Sequence, residues 1–323
     1  MDCYIGVDVG GTNIACGIVD CECGIIARSK VKTNERGKDR TPAYEDVLEE
    51  IKNAVRIACD EAGITPSAAH SIGIGCPGTC NSNSGVVEYS NNLGFLNVPL
   101  RKDVEEEFKI PVYLDNDANA AAFGEFVAGA AKGANSAVVI TLGTGVGSGI
   151  IIDGKICRGA NFAGGEIGHT VIVMDGLPCT CGRRGCFEAY SSATGLVRMT
   201  TQASELNPES LMTKMIREEG KVSARTAYRA MKEGDPVGKA VTEQYIKYLS
   251  CGIANAINTF QPDILCIGGG VCNEGDTLLT PLKAAVAEQI YSKHSAKNTD
   301  IVICRLGNDA GIIGAAYLYT IAE

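Results

Sequence analysis

The sequence lacks long runs of basic residues. No such run exceeds two residues, the length of Arg183-Arg184, and the formal net charge of the 323-residue chain is −9. Proteins that bind nucleic acid or anionic membranes usually present basic stripes or patches. We therefore expect no nucleic acid and no membrane among the partners. The net charge does not exclude an anionic small molecule, because a local group of backbone N–H donors can bind phosphate.

Long apolar runs are also absent, since no segment reaches the roughly 18 apolar residues that a membrane helix needs. The opening stretch "MDCYIGVDVGG" has neither the basic start nor the apolar length of a signal peptide. The 15 cysteines are an odd number, and Cys16, Cys76, Cys266 and Cys304 lie inside apolar runs. Reduced, buried thiols explain this pattern better than a disulfide framework. We therefore expect a cytoplasmic protein.

The first part of the chain alternates predicted strands and helices. Residues 3–29 predict three strands, with turns at Gly10-Gly11 and Cys23-Gly24. Apolar residues at helical spacing predict a helix over 42–62, with Thr41 as N-cap and Pro42 in its first turn. The next predicted elements are strands over 71–76 and 111–115 and a helix over 116–131.

The second part repeats this order. Residues 136–154 predict two strands around a glycine-rich turn, and 186–260 are mostly helical, with a last helix starting at Asp235-Pro236. The remaining predictions are a strand over 263–270, a helix over 277–291, a strand over 300–306 and a helix over 310–322. The pattern indicates an α/β protein with two related lobes.

Three glycine-rich loops follow apolar strands: "DVGGTN" (8–13), "LGTGVGSG" (142–149) and "IGGGV" (267–271). One such loop alone is an ordinary tight turn. Three together suggest backbone amides aimed at phosphate oxygens. "GTGVGS" is followed by a strand instead of a helix, which argues against a Rossmann dinucleotide site, and no P-loop motif is present.

One cluster joins a histidine to three cysteines: His169, Cys179, Cys181 and Cys186. A Cys₃His set in tight turns is typical of a closed, structural zinc site. A redox site would need a C-x-x-C pair, whereas this is C-x-C with a third cysteine later. Three unligated cysteines are the plain alternative. The other C-x-C pair, Cys21 and Cys23, has no nearby histidine and is interpreted as part of a turn.

Five segments together resemble the ROK family of sugar kinases: "IGVDVGGTNIACGIVD", "DNDANAAAFGE", "TLGTGVGSGIIIDGKICRGANFAGGEIGHT", "CTCGRRGCFEAYSS" and "IGGGV". The resemblance runs from about residue 4 to residue 318. It implies the two-lobed actin/Hsp70/hexokinase-type ATPase fold, with ATP in an interlobe cleft. The expected small lobe comprises 1–117 and about 308–323, and the large lobe comprises 118–307.

The resemblance also implies residues that bind Mg-ATP. The first phosphate loop would be Asp8, Gly10, Gly11, Thr12 and Asn13, the second would include Thr144 and Gly145, and Gly268 and Gly269 would lie against the adenosine. Mg²⁺ would bridge the phosphates, mainly through waters and with help from Asp8.

A sugar site is implied by the same resemblance. Asp117 would be the catalytic base and Asn116 would hold a sugar hydroxyl, although Asp115 or Asn116 is also suited to capping the next helix. The other implied sugar ligands are Gly78, Asn91, Glu166, His169 and Glu188. For Asn91 an ordinary turn remains the alternative. Zinc would hold Glu166, His169 and Glu188 rigidly together, leaving the second ring nitrogen of His169 for the sugar.

The resemblance implies an ATP-dependent hexose kinase, and "NNLGF" followed by "PL" resembles the glucokinase members most. The alternatives are another acceptor, such as fructose, mannose or N-acetylmannosamine, and polyphosphate as donor. Some ROK members are repressors with a helix-turn-helix before the first phosphate loop. Here Asp8 stands eight residues from the start, so we expect no such domain. A homodimer is expected from the family alone.

Overall fold

The computed structural model describes residues 2–33 and 43–322, so the predicted N-cap Thr41 and Pro42 lie outside the described residues. The strands are β1 (Cys3–Val9), β2 (Asn13–Asp20), β3 (Ile25–Lys32), β4 (Ile72–Cys76), β5 (Thr79–Asn81), β6 (Val86–Ser90), β7 (Phe95–Val98), β8 (Val112–Asn116), β9 (Ala137–Leu142), β10 (Val146–Ile152), β11 (Lys155–Ile156), β12 (Ile264–Gly268) and β13 (Asp300–Ile303). The helices are α1 (Tyr44–Ala62), α2 (Leu100–Phe108), α3 (Asp117–Val127), α4 (Phe187–Ser191), α5 (Ala193–Leu206), α6 (Leu211–Glu219), α7 (Thr226–Lys232), α8 (Pro236–Phe260), α9 (Asp276–Ala287) and α10 (Ala310–Ala316).

The first sheet has the strand order β3-β2-β1-β4-β8. The hairpins β1–β2 and β2–β3 are antiparallel, whereas β1, β4 and β8 run parallel. Its strands β1 and β4 are almost continuously apolar because both of their faces are covered. The predicted strands over 3–29, 71–76 and 111–115 are confirmed to within a few residues.

The second sheet has the order β11-β10-β9-β12-β13, which repeats the order of the first. Each sheet thus starts from a glycine-containing hairpin, as the sequence predicted. A third sheet, β5-β6-β7, and helix α2 were not predicted. Their strands are only three to five residues long, and the sequence between residues 79 and 98 is too rich in Asn, Ser and Gly to show a clear alternation.

The chain folds into two compact units. Unit 1 comprises residues 1–137, 149–165 and 304–323, and unit 2 comprises 138–148 and 166–303. The predicted first lobe ended at residue 117, the first residue of α3. Helix α3 lies within unit 1 because it packs against α10 and β4.

Backbone packs closely on backbone inside unit 1, at glycines. Neighbouring residues Gly6 and Gly73 of β1 and β4 lie under α10, where an added Cβ would stand 1.9 Å from the carbonyl oxygen of Ile312 and 1.7 Å from that of Ala315. A Cβ at Gly314 of α10 would lie 1.7 Å from the carbonyl oxygen of Ala120 in α3. The glycines therefore allow sheet, α10 and α3 to approach closely.

Several helices and strands end earlier than predicted. Helix α3 ends at Val127 instead of 131, because the buried carboxylate of Glu125 accepts the N–H of Ala130 at 2.7 Å and bends the chain away. Helix α10 ends at Ala316 and continues as a 3₁₀ helix over Leu318–Ile321. In contrast, α8 begins at Pro236 with Asp235 as N-cap, as predicted.

None of the helices among residues 2–33 and 43–322 is long and apolar enough to cross a membrane. The described cysteines form no disulfide. Cys16, Cys76 and Cys266 are buried, and Cys304 is half-buried. Most of the predicted core thiols are therefore packed as small apolar side chains.

Candidate active site

Polar residues of unit 1 collect where three parallel strands end. Asp8 of β1 pairs with Gly75 of β4, and Gly75 pairs with Asp115 of β8. Because the carboxyl ends of parallel strands share one edge of a sheet, Asp8, Asp115 and Asp117 are brought to one place. Such edges are common ligand sites in α/β proteins.

Asp8 is held in a setting that disfavours its charge. Burial raises the pKa of Asp8 to about 6, and the negative charge of Asp117 adds to the shift. An ideal Cβ at Gly311 would lie 2.6 Å from the Asp8 carboxylate, so α10 passes directly over it. Two neighbouring carboxylates, one of them with a raised pKa, form a natural site for a divalent cation or its waters.

Asp115, Asn116 and Asp117, where β8 passes into α3, have different hydrogen-bond partners and different roles. Asn116 caps α3, and its Oδ1 accepts the N–H groups of Ala118 at 2.9 Å and Asn119 at 3.2 Å. Its Nδ2 donates to the carbonyl oxygen of Gly78 at 3.0 Å, which leaves one amide hydrogen for a ligand. The prediction that one residue of the pair is a cap is thus confirmed for Asn116.

Asp115 does not cap the helix. Its Oδ2 accepts from Nε of Arg158 at 2.6 Å, and its Oδ1 accepts from Nδ2 of Asn119 at 2.9 Å and from the N–H of Asn116. Arg158 was not predicted as a partner of Asp115, because it lies 43 residues away and carries no local signal. Buried Asp115 therefore stabilises the strand end, and Asp117 is the first residue of α3.

Gly78 lies with φ of 108°, and a Cβ there would stand 2.1 Å from the carbonyl oxygen of Tyr89. Only glycine fits this close approach. Asn91 is exposed, and its Oδ1 accepts from the hydroxyl of Tyr89 at 3.2 Å. The amide group of Asn91 is thereby left to donate.

The turn between β1 and β2 is stabilised by Thr33, which directly follows β3. The N–H of Gly10 donates to the carbonyl oxygen of Asn13 at 2.9 Å, which closes the turn. Buried Thr33 donates its hydroxyl to the carbonyl oxygen of Gly10 at 2.6 Å, and its N–H donates to that of Thr12 at 3.1 Å. Gly11 and Thr12 stay exposed at the tip. Thr33 was not identified from the sequence.

Unit 2 brings the predicted metal ligands together. The ligand atoms of His169, Cys179, Cys181 and Cys186 all lie within 4.8 Å of one another. The Sγ atoms of Cys181 and Cys186 are 3.7 Å apart, and Sγ of Cys179 is 3.6 Å from Nδ1 of His169. Gly182 and Gly185 have φ of 86° and 80°, as the tight turns require.

These distances fit zinc. A tetrahedral ion with Zn–S bonds of about 2.3 Å and Zn–N bonds of about 2.0 Å places two sulfurs about 3.8 Å apart and a sulfur and a nitrogen about 3.5 Å apart. The chemistry of three thiols and one imidazole suits the same ion. His169 would use Nδ1 for the metal, which leaves Nε2 for a second partner.

Glu188 connects the cluster to the second glycine-rich turn. Its Oε2 accepts the N–H of Val146 at 3.0 Å, and its Oε1 accepts from the hydroxyl of Thr180 at 3.1 Å. A Cβ at Gly145 would lie 2.3 Å from Oε2. The connection was not predicted, because it joins residues 42 positions apart.

The remaining predicted residues of unit 2 lie at element ends. Glu166 is exposed and directly precedes the 3₁₀ helix Ile167–His169. Thr144 is exposed in the β9–β10 turn, and its carbonyl oxygen accepts from the hydroxyl of Thr194 at 2.8 Å. Gly269 follows the last residue of β12, Gly268, with φ of 98°, and a Cβ there would lie 2.2 Å from the carbonyl oxygen of Leu142.

Comparison with known protein families matches residues 4–321 to the ROK family. The chain belongs to the ROK family. The glucokinase of Halalkalibacterium halodurans is 38% identical over 98% of this chain and 94% of its own, and that of Streptomyces coelicolor is 35% identical over 98% of each.

A solved structure of a ROK family glucokinase from Streptomyces griseus in complex with glucose and AMPPNP covers 98% of both chains at 33% identity, with a TM-score of 0.81. The ROK member described here therefore has the actin/hexokinase-type ATPase fold, as the sequence predicted. The resemblance found in five segments extends over nearly the whole ROK chain.

Proposed function

We propose that this ROK protein is a kinase that transfers the γ-phosphoryl group of ATP to a hydroxyl of glucose, forming glucose 6-phosphate and ADP. The observation that carries the proposal is the pair Asp8 and Asp117 at one sheet edge, in a chain that matches glucokinases over its full length. The choice of ATP and glucose as substrates is based on the Streptomyces griseus structure, which contains glucose and AMPPNP.

Asp117 is proposed as the general base. It is the first residue of α3, so its carboxylate is mounted on a rigid helix end whose cap, Asn116, is held to Gly78. In a loose phosphoryl-transfer transition state the acceptor hydroxyl loses its proton late, so Asp117 mainly orients that hydroxyl and then takes its proton.

The nucleotide is proposed to bind as Mg-ATP at Asp8, Gly10, Gly11, Thr12, Asn13, Thr144, Gly145, Gly268 and Gly269. The exposed turn at Gly11 and Thr12 supports this role, since its amides are free of helix or sheet constraints at the tip. Asp8 would face the waters of Mg²⁺, and the cation would bring the pKa of Asp8 back down.

The sugar is proposed to bind through Gly78, Asn91, Asn116, Glu166, His169 and Glu188. Asn116 keeps one amide hydrogen and Asn91 keeps its amide group, so both can donate to sugar oxygens. Glu188 already accepts three hydrogen bonds, from the N–H of Val146, the hydroxyl of Thr180 and the thiol of Cys179, so it would use its remaining lone pairs. Zinc at His169, Cys179, Cys181 and Cys186 would act structurally, holding these groups in place.

The test is a set of acceptors and donors offered to the zinc-loaded protein. ADP release would be followed with glucose, mannose, fructose, N-acetylglucosamine and N-acetylmannosamine, each compared by kcat/KM. Polyphosphate would replace ATP in a parallel series. We expect glucose with ATP to exceed every other pair.

A different sugar with the highest kcat/KM would replace glucose in the proposal. No turnover with any sugar, in folded protein with zinc bound, would overturn the kinase function. The homodimer expected from the family and the cytoplasmic location expected from the cysteine pattern remain predictions, and sedimentation of the pure protein in an ultracentrifuge would test the first.

A further inference from the structure

Unit 1 contains a basic cavity that no proposed substrate occupies. Its volume is about 360 Å³, and three cationic side chains line it: Arg101, Lys155 and Arg158. None of the described residues that line it is acidic. The cavity is thus lined by cationic groups in a chain whose net charge is −9.

The side chain of Arg158 is held in one orientation by Asp115. Its Nε donates at 2.6 Å to Asp115, which is buried and which also accepts from Asn119. Within the described residues, its two terminal nitrogens donate no hydrogen bond. Because Nε of Arg158 is held by Asp115, the planar guanidinium presents its remaining N–H donors in a fixed orientation. Two parallel N–H donors of this kind match the spacing of two phosphate oxygens.

Arg101 is fixed by different partners. Its Nη1 donates to the carbonyl oxygen of Ser82 at 3.1 Å and its Nη2 to that of Asn83 at 3.0 Å. These carbonyl groups orient the guanidinium without neutralising it. Among residues 2–33 and 43–322, Arg158 is paired with the carboxylate of Asp115 and Arg101 donates to backbone carbonyl groups, and both guanidinium groups line the same cavity.

The wall of the cavity is mixed in character. Besides the cationic groups it includes the apolar or aromatic side chains of Tyr113, Phe162 and Leu318. A cavity of a few hundred Å³ with apolar walls and a few fixed polar groups is typical of a small-molecule site.

We propose that this cavity binds a small phosphate-bearing anion. The phosphate would take the fork of Arg158 with Arg101 and Lys155, and the body of the molecule would lie against Phe162 and Leu318. The inference does not depend on the proposed kinase function, because none of these residues belongs to the proposed substrate sites. Asp115 of β8 lies two residues before Asp117, so the cavity adjoins the strand that leads into the helix carrying the proposed base.

The experiment is calorimetric titration of the full-length, zinc-loaded protein with inorganic phosphate and, separately, with glucose 6-phosphate. Both titrations are repeated with AMPPNP, Mg²⁺ and glucose present in excess, which blocks the proposed substrate sites. We expect one saturable site that persists under blocking. Tighter binding of the ester would show that the apolar wall is used, and equal or weaker binding would indicate free phosphate as the ligand.

Three variants locate the site. Lys155→Met and Arg158→Gln should each weaken phosphate binding by at least about tenfold, since each loses a charged hydrogen-bond donor. Lys132→Met, at an exposed position outside the cavity, should bind as the unchanged protein does. Circular dichroism would show that the variants are folded. No saturable binding under blocking, or equal affinity in Lys155→Met and Arg158→Gln to that of the unchanged protein, would overturn the proposal.

Discussion

Individual carboxylates in this protein have roles set by their partners. Asp115 is buried and bonded to Arg158, Asp117 starts a helix, and Asp8 lies under α10 with a raised pKa. Neighbouring positions in the sequence thus supply one structural acid and one candidate base. The difference comes from hydrogen bonds and burial, not from residue type.

Asp117→Asn should reduce kcat by a factor of about 10²–10⁴, because the amide cannot accept the proton of the acceptor hydroxyl. The affinity for AMPPNP, measured by calorimetry, should not change. Asp60→Asn, at an exposed position near the end of α1, is the matched control. Turnover near that of the unchanged protein would remove Asp117 from the role of base.

Asp8→Asn should stabilise the fold at neutral pH when neither Mg²⁺ nor nucleotide is present. The pKa of Asp8 is about 6 in the fold against 3.8 unfolded, so the folded state binds more protons and loses stability as pH rises from about 4 to 6. The Asp8→Asn variant should not lose stability over this pH range, because asparagine does not ionise. We expect the variant to gain about 1–3 kcal/mol at pH 8 and little near pH 4.

Urea unfolding of both proteins at several pH values, without Mg²⁺ or nucleotide, measures this difference. A gain at pH 8 that is no larger than the gain near pH 4 would show that the charge of Asp8 is not its cause. The stabilised variant should also bind Mg-ATP more weakly, because it lacks the carboxylate.

Secondary-structure elements meet in unit 1 through glycine. Helix α10 lies on Gly6 and Gly73 of the sheet and on Ala120 and Gly124 of α3. The carboxylate of Glu125 also accepts the N–H groups of Arg305 and Leu306, which lead into α10. These contacts set the distance between the element that carries Asp117 and the helix that covers Asp8.

Gly314→Ala should destabilise the protein by at least about 3 kcal/mol, because the new Cβ would lie 1.7 Å from the carbonyl oxygen of Ala120 and the two helices would have to separate. The effect is opposite to helix propensity, which favours alanine by about 1 kcal/mol. Denaturant unfolding measures the change.

Gly143→Ala is the matched control, because its added Cβ would meet no atom within 4 Å. We expect a change below about 0.5 kcal/mol there. Equal effects of the two substitutions would contradict the packing argument.

At the scale of the whole molecule, one sheet order appears twice, and each sheet has its own candidate residues. Unit 1 carries Asp8, Asn116 and Asp117, and unit 2 carries the Cys₃His cluster and Glu188. The Cys₃His cluster is the only group of three or more His, Cys, Asp or Glu residues among residues 2–33 and 43–322 whose side chains are placed so that they could hold a metal ion. Stability of unit 2 should therefore depend on metal.

Cys181→Ser should release zinc, lower the thermal midpoint and abolish sugar phosphorylation, because one of four ligands is lost. Cys21→Ser is the matched control, since Cys21 is also exposed and also part of a C-x-C pair, but lies outside the cluster. Metal content by mass spectrometry and thermal unfolding measure the outcome. Full activity in zinc-free protein would refute the structural role of the metal.

The sequence by itself determined most strands, most helices, the Cys₃His cluster and the membership of the ROK family. These features are local, since apolar spacing, glycine turns and close ligand spacing are all visible within about 20 residues. The sequence also predicted that the two halves of the chain are related, because the order of motifs repeats along it. The two five-stranded sheets have the same strand order, which confirms that prediction.

Only the tertiary structure decided which polar groups meet. Arg158 bonds to Asp115 across 43 residues, Glu188 to Val146 across 42, and Glu125 to Leu306 across 181. Such partners leave no periodic trace in the sequence. These hydrogen bonds depend on how the backbones of distant elements pack against one another. In unit 1 that packing is set by close backbone contacts at residues such as Gly314 and Gly73.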